Sequence, residues 1–234
     1  LGMDFLGVQD HPYQRRFLDT WTLLSSLAPQ TSRIRLLPDV INLPLRPPAV
    51  LAKAAASLDI ISDGRLELGL GAGAFWEGIG AMGGPVRAPG EAVDALEEAI
   101  QIMRLLWSGE RGLRFEGQYY QLNGAHSGPV PSRPIPLGSG AYGSKMLDLT
   151  GRLGDGWVPS SSYAPPARLG GMQRKIDEAA RRAGREPSAI RRAYNLMGQI
   201  GGQPGDYLSG PPERWVQELT RLALEDGIDT FILG

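Results

Sequence analysis

Gln9-Asp10-His11-Pro12-Tyr13 forms a corner directly after a short apolar run, Phe5 to Val8. A carboxylate beside an imidazole can move protons, because histidine titrates near neutrality and an aspartate can orient it. The plain alternative is a loop-capping Asp10 and a satisfied His11. A second candidate is Asp39-Val40-Ile41-Asn42, which ends a β-branched run. An acidic residue there is expensive unless the chain bulges or the carboxylate meets a partner. A third is Gly69-Leu-Gly71-Ala72-Gly73-Ala74, which formally matches a dinucleotide fingerprint. That fingerprint needs a helix, a strand and an acidic ribose ligand about twenty residues on. The chain instead continues through Phe75-Trp76 and more glycine, so small residues admitting a planar ligand are the better reading. The fourth is Gly138-Ser-Gly140-Ala141-Tyr142-Gly143-Ser144, a strand-to-helix loop whose first helical amides suit a phosphate.

These residues need elements that bring them to one place. Ile34 to Ile41 reads as a strand, Ala49 to Leu58 as a helix and Leu66 to Leu70 as a strand. Together they make one β-α-β unit, which demands parallel strands with covered faces. In such folds chemistry gathers at the carboxyl ends of the strands, where all four candidates fall. Further strands are expected at Phe5–Val8, Ile135–Leu137, Gly156–Pro159, Ala193–Ile200 and Thr230–Leu233. Helices are expected at Thr20–Leu27, Glu91–Trp107, Ser144–Gly151, Pro166–Ala183 and Pro212–Glu225. The stretch from Gly71 to Gly84 reads as a loop, and Arg114 to Leu122 as a small hairpin. Irregular tracts at Gly78–Gly90 and Gly124–Arg133 read as insertions at one mouth, carrying substrate specificity.

Seven strands alternate with helical segments over 234 residues. The expected fold is α/β, a TIM (β/α)8 barrel with insertions, and residues 1–234 read as one domain. The chain begins at Leu1 rather than methionine. The strand count then implies that the barrel's first strand and helix are missing from it.

Composition narrows the chemistry. There is no cysteine, which excludes disulfides and thiolate sites and fits a reducing cytoplasm. Two histidines, His11 and His126, argue against a multi-histidine metal centre, so no metal is expected. A net charge of −1 without a basic stripe gives no footprint for nucleic acid, and no apolar run suits a membrane. The only lysines, Lys53, Lys145 and Lys175, fall on expected helices, which disfavours a Schiff-base aldolase. Asp10 and Asp39 lack the neighbouring aromatics that a glycosidase pair would want.

Several segments carry a resemblance: GMDFLGVQDH, RIRLLPDVINLPLRPPAVLAKAAASLDIISDGRLELGLGAG, EEAIQIMRLLWSGE with FEGQYYQL, GAYGSKMLDLTGRLGDGW, and GPPERWVQELTRLALEDGIDTFIL. In this order they resemble the bacterial luciferase-like flavin and deazaflavin oxidoreductases, and most closely the branch using coenzyme F420. The resemblance implies hydride transfer between the deazaflavin and a small-molecule substrate. His11 would exchange the proton and Asp10 would orient His11 or the ring. Asp39, Val40 and Ile41 would back the ring across a bulge, often built on a non-prolyl cis peptide. Gly71, Ala72 and Gly73 would allow close approach, and Gly140, Ala141, Tyr142, Gly143 and Ser144 would hold the phosphate. Phe75 and Trp76 would line the substrate pocket. Some relatives carry a glutamate acid in the Gly71 loop; here Ala74 stands there and Glu77 is out of register. The resemblance also implies a homodimer. The alternatives are an FMN-dependent monooxygenase with a partner flavin reductase, and a non-catalytic flavin-binding barrel.

Overall fold

The computed structural model describes residues 2–201 and 207–234. The chain divides into two compact units, residues 1–137 and 138–234. Each is α/β, with parallel strands joined by helices.

In the first unit, β1 (Phe5–Val8) leads to α1 (Thr20–Leu27) and β2 (Arg35–Pro38). Asp19 caps α1, its side chain accepting from the Thr22 amide at 2.8 Å. β1 and β2 pair in parallel, with Phe5 opposite Arg35 and Val8 opposite Pro38. The strand expected over Ile34–Ile41 is in fact two. A cis peptide joins Asp39 to Val40, and the chain resumes as β3 (Ile41–Asn42). The break falls where the run changes partner. The Asp39 amide closes the ladder on Val8 O at 2.8 Å, whereas β3 pairs with β4.

Before β4 comes α2 (Pro48–Ile61), which starts on proline, where no helical amide bond is lost. It stops at Ser62-Asp63-Gly64, where Asp63 (φ 56°) and Gly64 (φ 72°) take the left-handed conformation. β4 (Leu68–Gly71) then runs parallel to β3, with Ile41 opposite Leu70. The glycine-rich stretch beyond it is not simply a loop: it contains α3 (Trp76–Ala81). Glycine's poor helix propensity hides this turn from composition, and buried Ile79 anchors it. α4 (Pro89–Leu106) buries Val93, Leu96, Ile100 and Met103, the stripe that its spacing predicts. It packs on α2, and Trp107 Nε1 donates to Ala52 O at 2.9 Å. β5 (Leu113–Glu116) and β6 (Gln121–Ala125) form the expected antiparallel hairpin.

The tract at 124–133 does not share the mouth expected for it. Ser132 donates from N and Oγ to Asp59 Oδ2, at 3.0 and 2.6 Å, and Arg133 Nε donates to Gly64 O. Both acceptors precede β4, so a buried aspartate fastens this tract near the amino end of that strand, away from the strand-end residues.

The second unit runs β7 (Leu137–Ser139), α5 (Ser144–Leu153), β8 (Gly156–Trp157), α6 (Pro166–Arg182), β9 (Arg191–Leu196), β10 (Gly198–Ile200), β11 (Leu208–Gly210), α7 (Pro212–Glu225) and β12 (Thr230–Leu233). β7, β8, β9 and β12 pair in that order, all parallel. The strand expected over Ala193–Ile200 splits at Met197. Its second part pairs with β11, a strand too short to register in the sequence pattern. α5 lies close on α6 because Gly151 has no side chain. A Cβ there would strike the Ile176 carbonyl oxygen and come within 2.6 Å of Ala179 Cβ. Gly151→Ala is expected to destabilise the chain by about 1–3 kcal/mol, the usual cost of overpacking. An unchanged urea midpoint would show that the two helices separate freely.

Among the described residues, no helix is long and apolar enough to cross a membrane. No cluster of three or more potential metal ligands occurs among them either.

Candidate active site

The residues at the strand ends of the first unit form one connected group. Asp10, two residues past β1, is 2% exposed. Such a carboxylate must be paired, and Arg46 pairs it in a fork. Arg46 Nε donates to Oδ2 at 2.8 Å and Nη2 to Oδ1 at 2.7 Å. The Asn42 amide adds a third bond to Oδ2 at 2.9 Å. Arg46 Nη2 also reaches Asp19 Oδ1 at 2.7 Å. The hydrogen bonds that Arg46 donates to Asp10 raise the Arg46 pKa further, against the effect of burial. At Asp19, burial is outweighed by the bonds from Arg46 and Thr22, and its pKa falls.

His11 is placed differently from its neighbour. Its Nδ1 lies 2.7 Å from Tyr13 Oη, so Tyr13 rather than Asp10 is its hydrogen-bond partner. The Phe75 ring meets it edge-on at 5.5 Å and 82°, and Phe17 flanks it at 6.1 Å. Burial holds the imidazole below its ordinary pKa of 6.5, with the Asp10 charge opposing more weakly. Burial likewise raises the Tyr13 phenol, with the Asn42 side chain acting in the other direction. At neutral pH the imidazole is therefore uncharged and the phenol keeps its proton.

The glycines in and just after β4 serve packing inside the protein. A Cβ on Gly71 would sit 2.8 Å from Val40 Cγ2, and one on Gly69 would sit 3.0 Å from Val40 Cγ1. Val40 thus fills the groove these glycines leave. Gly73 has φ +108°, and a Cβ there would strike Trp76 at 2.6 Å and Pro44 at 2.9 Å. Trp76 is committed to this contact, whereas Phe75 is half-exposed beside His11. Asn42 is 6% exposed, and its Oδ1 is buried without a hydrogen-bond partner among the described residues. An orphaned acceptor beside the Asp39–Val40 bend suits an N–H group of a bound ring.

In the second unit, by itself, the loop 140–144 enters α5. Ala141 is buried, and its carbonyl accepts from Trp157 Nε1 at 3.0 Å. Tyr142 Oη accepts from the Ser160 amide at 3.0 Å. Gly143 and Ser144 are exposed at the helix start, and Lys175 Nζ donates to Ser144 Oγ at 2.8 Å. Hydroxyl, ammonium and the amides of a helix start are a donor set for phosphate.

Arg46, Tyr13, Asn42 and Lys175 are side chains that spacing alone assigns no role. Tyr13 was the most accessible, two residues from His11. Arg46 lies in a Pro-rich corner with no acidic residue near it in sequence. Asn42 and Lys175 gain meaning only through tertiary contacts.

A family model described as luciferase-like monooxygenase matches residues 1–203. The chain belongs to the luciferase-like monooxygenase family. Among the proteins this family member resembles is the F420-dependent glucose-6-phosphate dehydrogenase of Gordonia bronchialis. The two are 32% identical over 204 residues, 83% of this chain and 60% of that protein. It is also similar to the 5,10-methylenetetrahydromethanopterin reductase of Archaeoglobus fulgidus, 33% identical over 191 residues, 81% of this chain and 54% of the reductase. The chain thus spans 54–60% of the length of these relatives. An F420-dependent secondary alcohol dehydrogenase in complex with an F420-acetone adduct shares its fold, with a TM-score of 0.89 at 22% identity, covering 100% of this chain and 84% of the dehydrogenase.

Proposed function

We propose that the protein is a coenzyme F420-dependent oxidoreductase that moves a hydride to or from a small organic substrate. The observation carrying this reading is His11, set against the Phe75 and Phe17 rings and held through Nδ1 by Tyr13, beside an Asp10 whose carboxylate Arg46 pairs in a fork. Relatives named as F420-dependent dehydrogenases support it. When bound, the deazaflavin supplies a two-electron hydride carrier. Asp39, Val40 and Ile41 would back its ring, the backbone at Gly71, Ala72 and Gly73 would border it, and Asn42 Oδ1 would accept a ring N–H. His11 would hold a proton at the reacting substrate atom, with Asp10 fixing the corner that carries it. Phe75 and Trp76 would exclude water from the substrate side. The 140–144 loop, with Lys175, would bind a phosphate.

The reading treats residues 1–234 as one barrel domain; the family match running across both compact units supports this. A homodimer and a cytoplasmic location belong to the same proposal and rest on family likeness. Parallel fluorescence titrations of the full chain with F420 and with FMN test the cofactor. Tighter binding of F420 is expected. Preference for FMN would replace the reading with an oxygen-using monooxygenase served by a flavin reductase. Binding of neither would overturn the catalytic assignment.

A further inference from the structure

We propose that Tyr13 is a positioning residue that holds His11 as the Nε2–H tautomer, so that His11 meets its ligand as a neutral hydrogen-bond donor. The fitting ligand atom is an acceptor, such as a carbonyl oxygen. A neutral imidazole carries one proton, and the partner of one nitrogen decides where it sits. The partner of Nδ1 is the Tyr13 hydroxyl at 2.7 Å. An imidazole nitrogen is a much stronger acceptor than a phenol oxygen, and a phenol is a stronger donor than a neutral imidazole N–H. The favoured bond therefore runs from Tyr13 Oη to Nδ1. Its length agrees, since 2.7 Å is usual for a hydroxyl donor and lies at the short limit for an N–H donor.

The acidic neighbour does not compete. Both Asp10 oxygens are engaged by Arg46, and Oδ2 also by the Asn42 amide. An aspartate bound to Nδ1 would draw the proton to that nitrogen and leave Nε2 bare, as a base. Tyrosine in that place reverses the arrangement. Among the described residues the His11 ring has its hydrogen bond at Nδ1 alone, and the flanking Phe17 and Phe75 rings carry no acceptor for Nε2–H. The donor is thus left for a bound molecule. In the hydride-transfer reading, on which the ligand class rests, this matches substrates that enter with an acceptor atom, such as ketones, aldehydes or enones, better than alcohols.

The chain has only two histidines, so the test is direct. Two-bond ¹H–¹⁵N spectra of the full chain labelled with ¹⁵N-histidine report the tautomer without any cofactor, and His126→Gln assigns the signals. A pyridine-like Nδ1 and a pyrrole-like Nε2 are expected for His11 at pH 8. The reverse pattern overturns the proposal. Tyr13→Phe is expected to move both nitrogens toward averaged shifts; unchanged shifts remove Tyr13 from the role. If that variant fails to fold, 3-fluorotyrosine incorporation replaces it, because a more acidic phenol should displace the Nδ1 shift, and no displacement overturns the role. The F420 titration is independent: loss of F420 binding with the expected tautomer would sink the cofactor reading and leave this one standing.

Discussion

Arg46→Met is expected to lower the unfolding free energy by about 3–5 kcal/mol, the cost of leaving a buried charge without its partner. The stranded group is Asp10, whose side chain is 1% exposed and which takes both of its Arg46 bonds through the same guanidinium. The Arg46–Asp19 contact adds little to the loss, because the Asp19 side chain is 45% exposed and solvent screens it. Urea denaturation of the full chain supplies the measurement. The double variant Arg46→Met, Asp10→Asn should recover part of the loss, since the second change removes the uncompensated charge. A single-variant loss below about 1 kcal/mol would mean that water reaches Asp10 and that the fork is dispensable.

His11→Ala is expected to reduce turnover by about 10²- to 10⁴-fold, the usual contribution of a positioned proton-handling group. F420 affinity should change by no more than a few-fold, because His11 faces Tyr13, Phe17 and Phe75 rather than the Asp39–Val40 bend. The pair of measurements separates chemistry from binding. Unchanged turnover would take His11 out of the reaction. Equal losses in turnover and affinity would make it a cofactor contact.

Much of this was legible in the sequence because it is local. Phe5–Val8, Thr20–Leu27, Pro212–Glu225 and Thr230–Leu233 fall where their periodicity and stop signals place them. The QDH corner and the Asp39 irregularity were visible as polar groups at the ends of apolar runs. What stayed hidden depends on partners distant in sequence. Nothing near Arg46 indicates that it binds Asp10, 36 positions earlier. The glycines at 69, 71 and 73 suggest room for a ligand, yet Val40, Trp76 and Pro44 occupy the space where their side chains would go. α3 was obscured because its glycines mask a helix held by one buried isoleucine. The placement of the 124–133 tract is hidden from local sequence because the buried acceptor that fastens it, Asp59, is 73 positions away from Ser132.

The double grip of Arg46 has a consequence for how this chain can diversify. Asp10 and Asp19 bracket the segment 11–18, and one guanidinium holds both. The segment is therefore a small ring whose two ends meet at Arg46, firmly at Asp10 and loosely at Asp19. Once such a ring is closed, doubling its length costs only about 0.6 kcal/mol in chain entropy. The exposed residues Gln14, Arg15 and Arg16 can be exchanged or added to with little strain passed to β1 or α1, while Tyr13 stays fixed by its bond to His11 and its contact with Gly78. The molecule thus carries an interchangeable cassette beside His11, and libraries aimed at new substrates have a natural place to begin there.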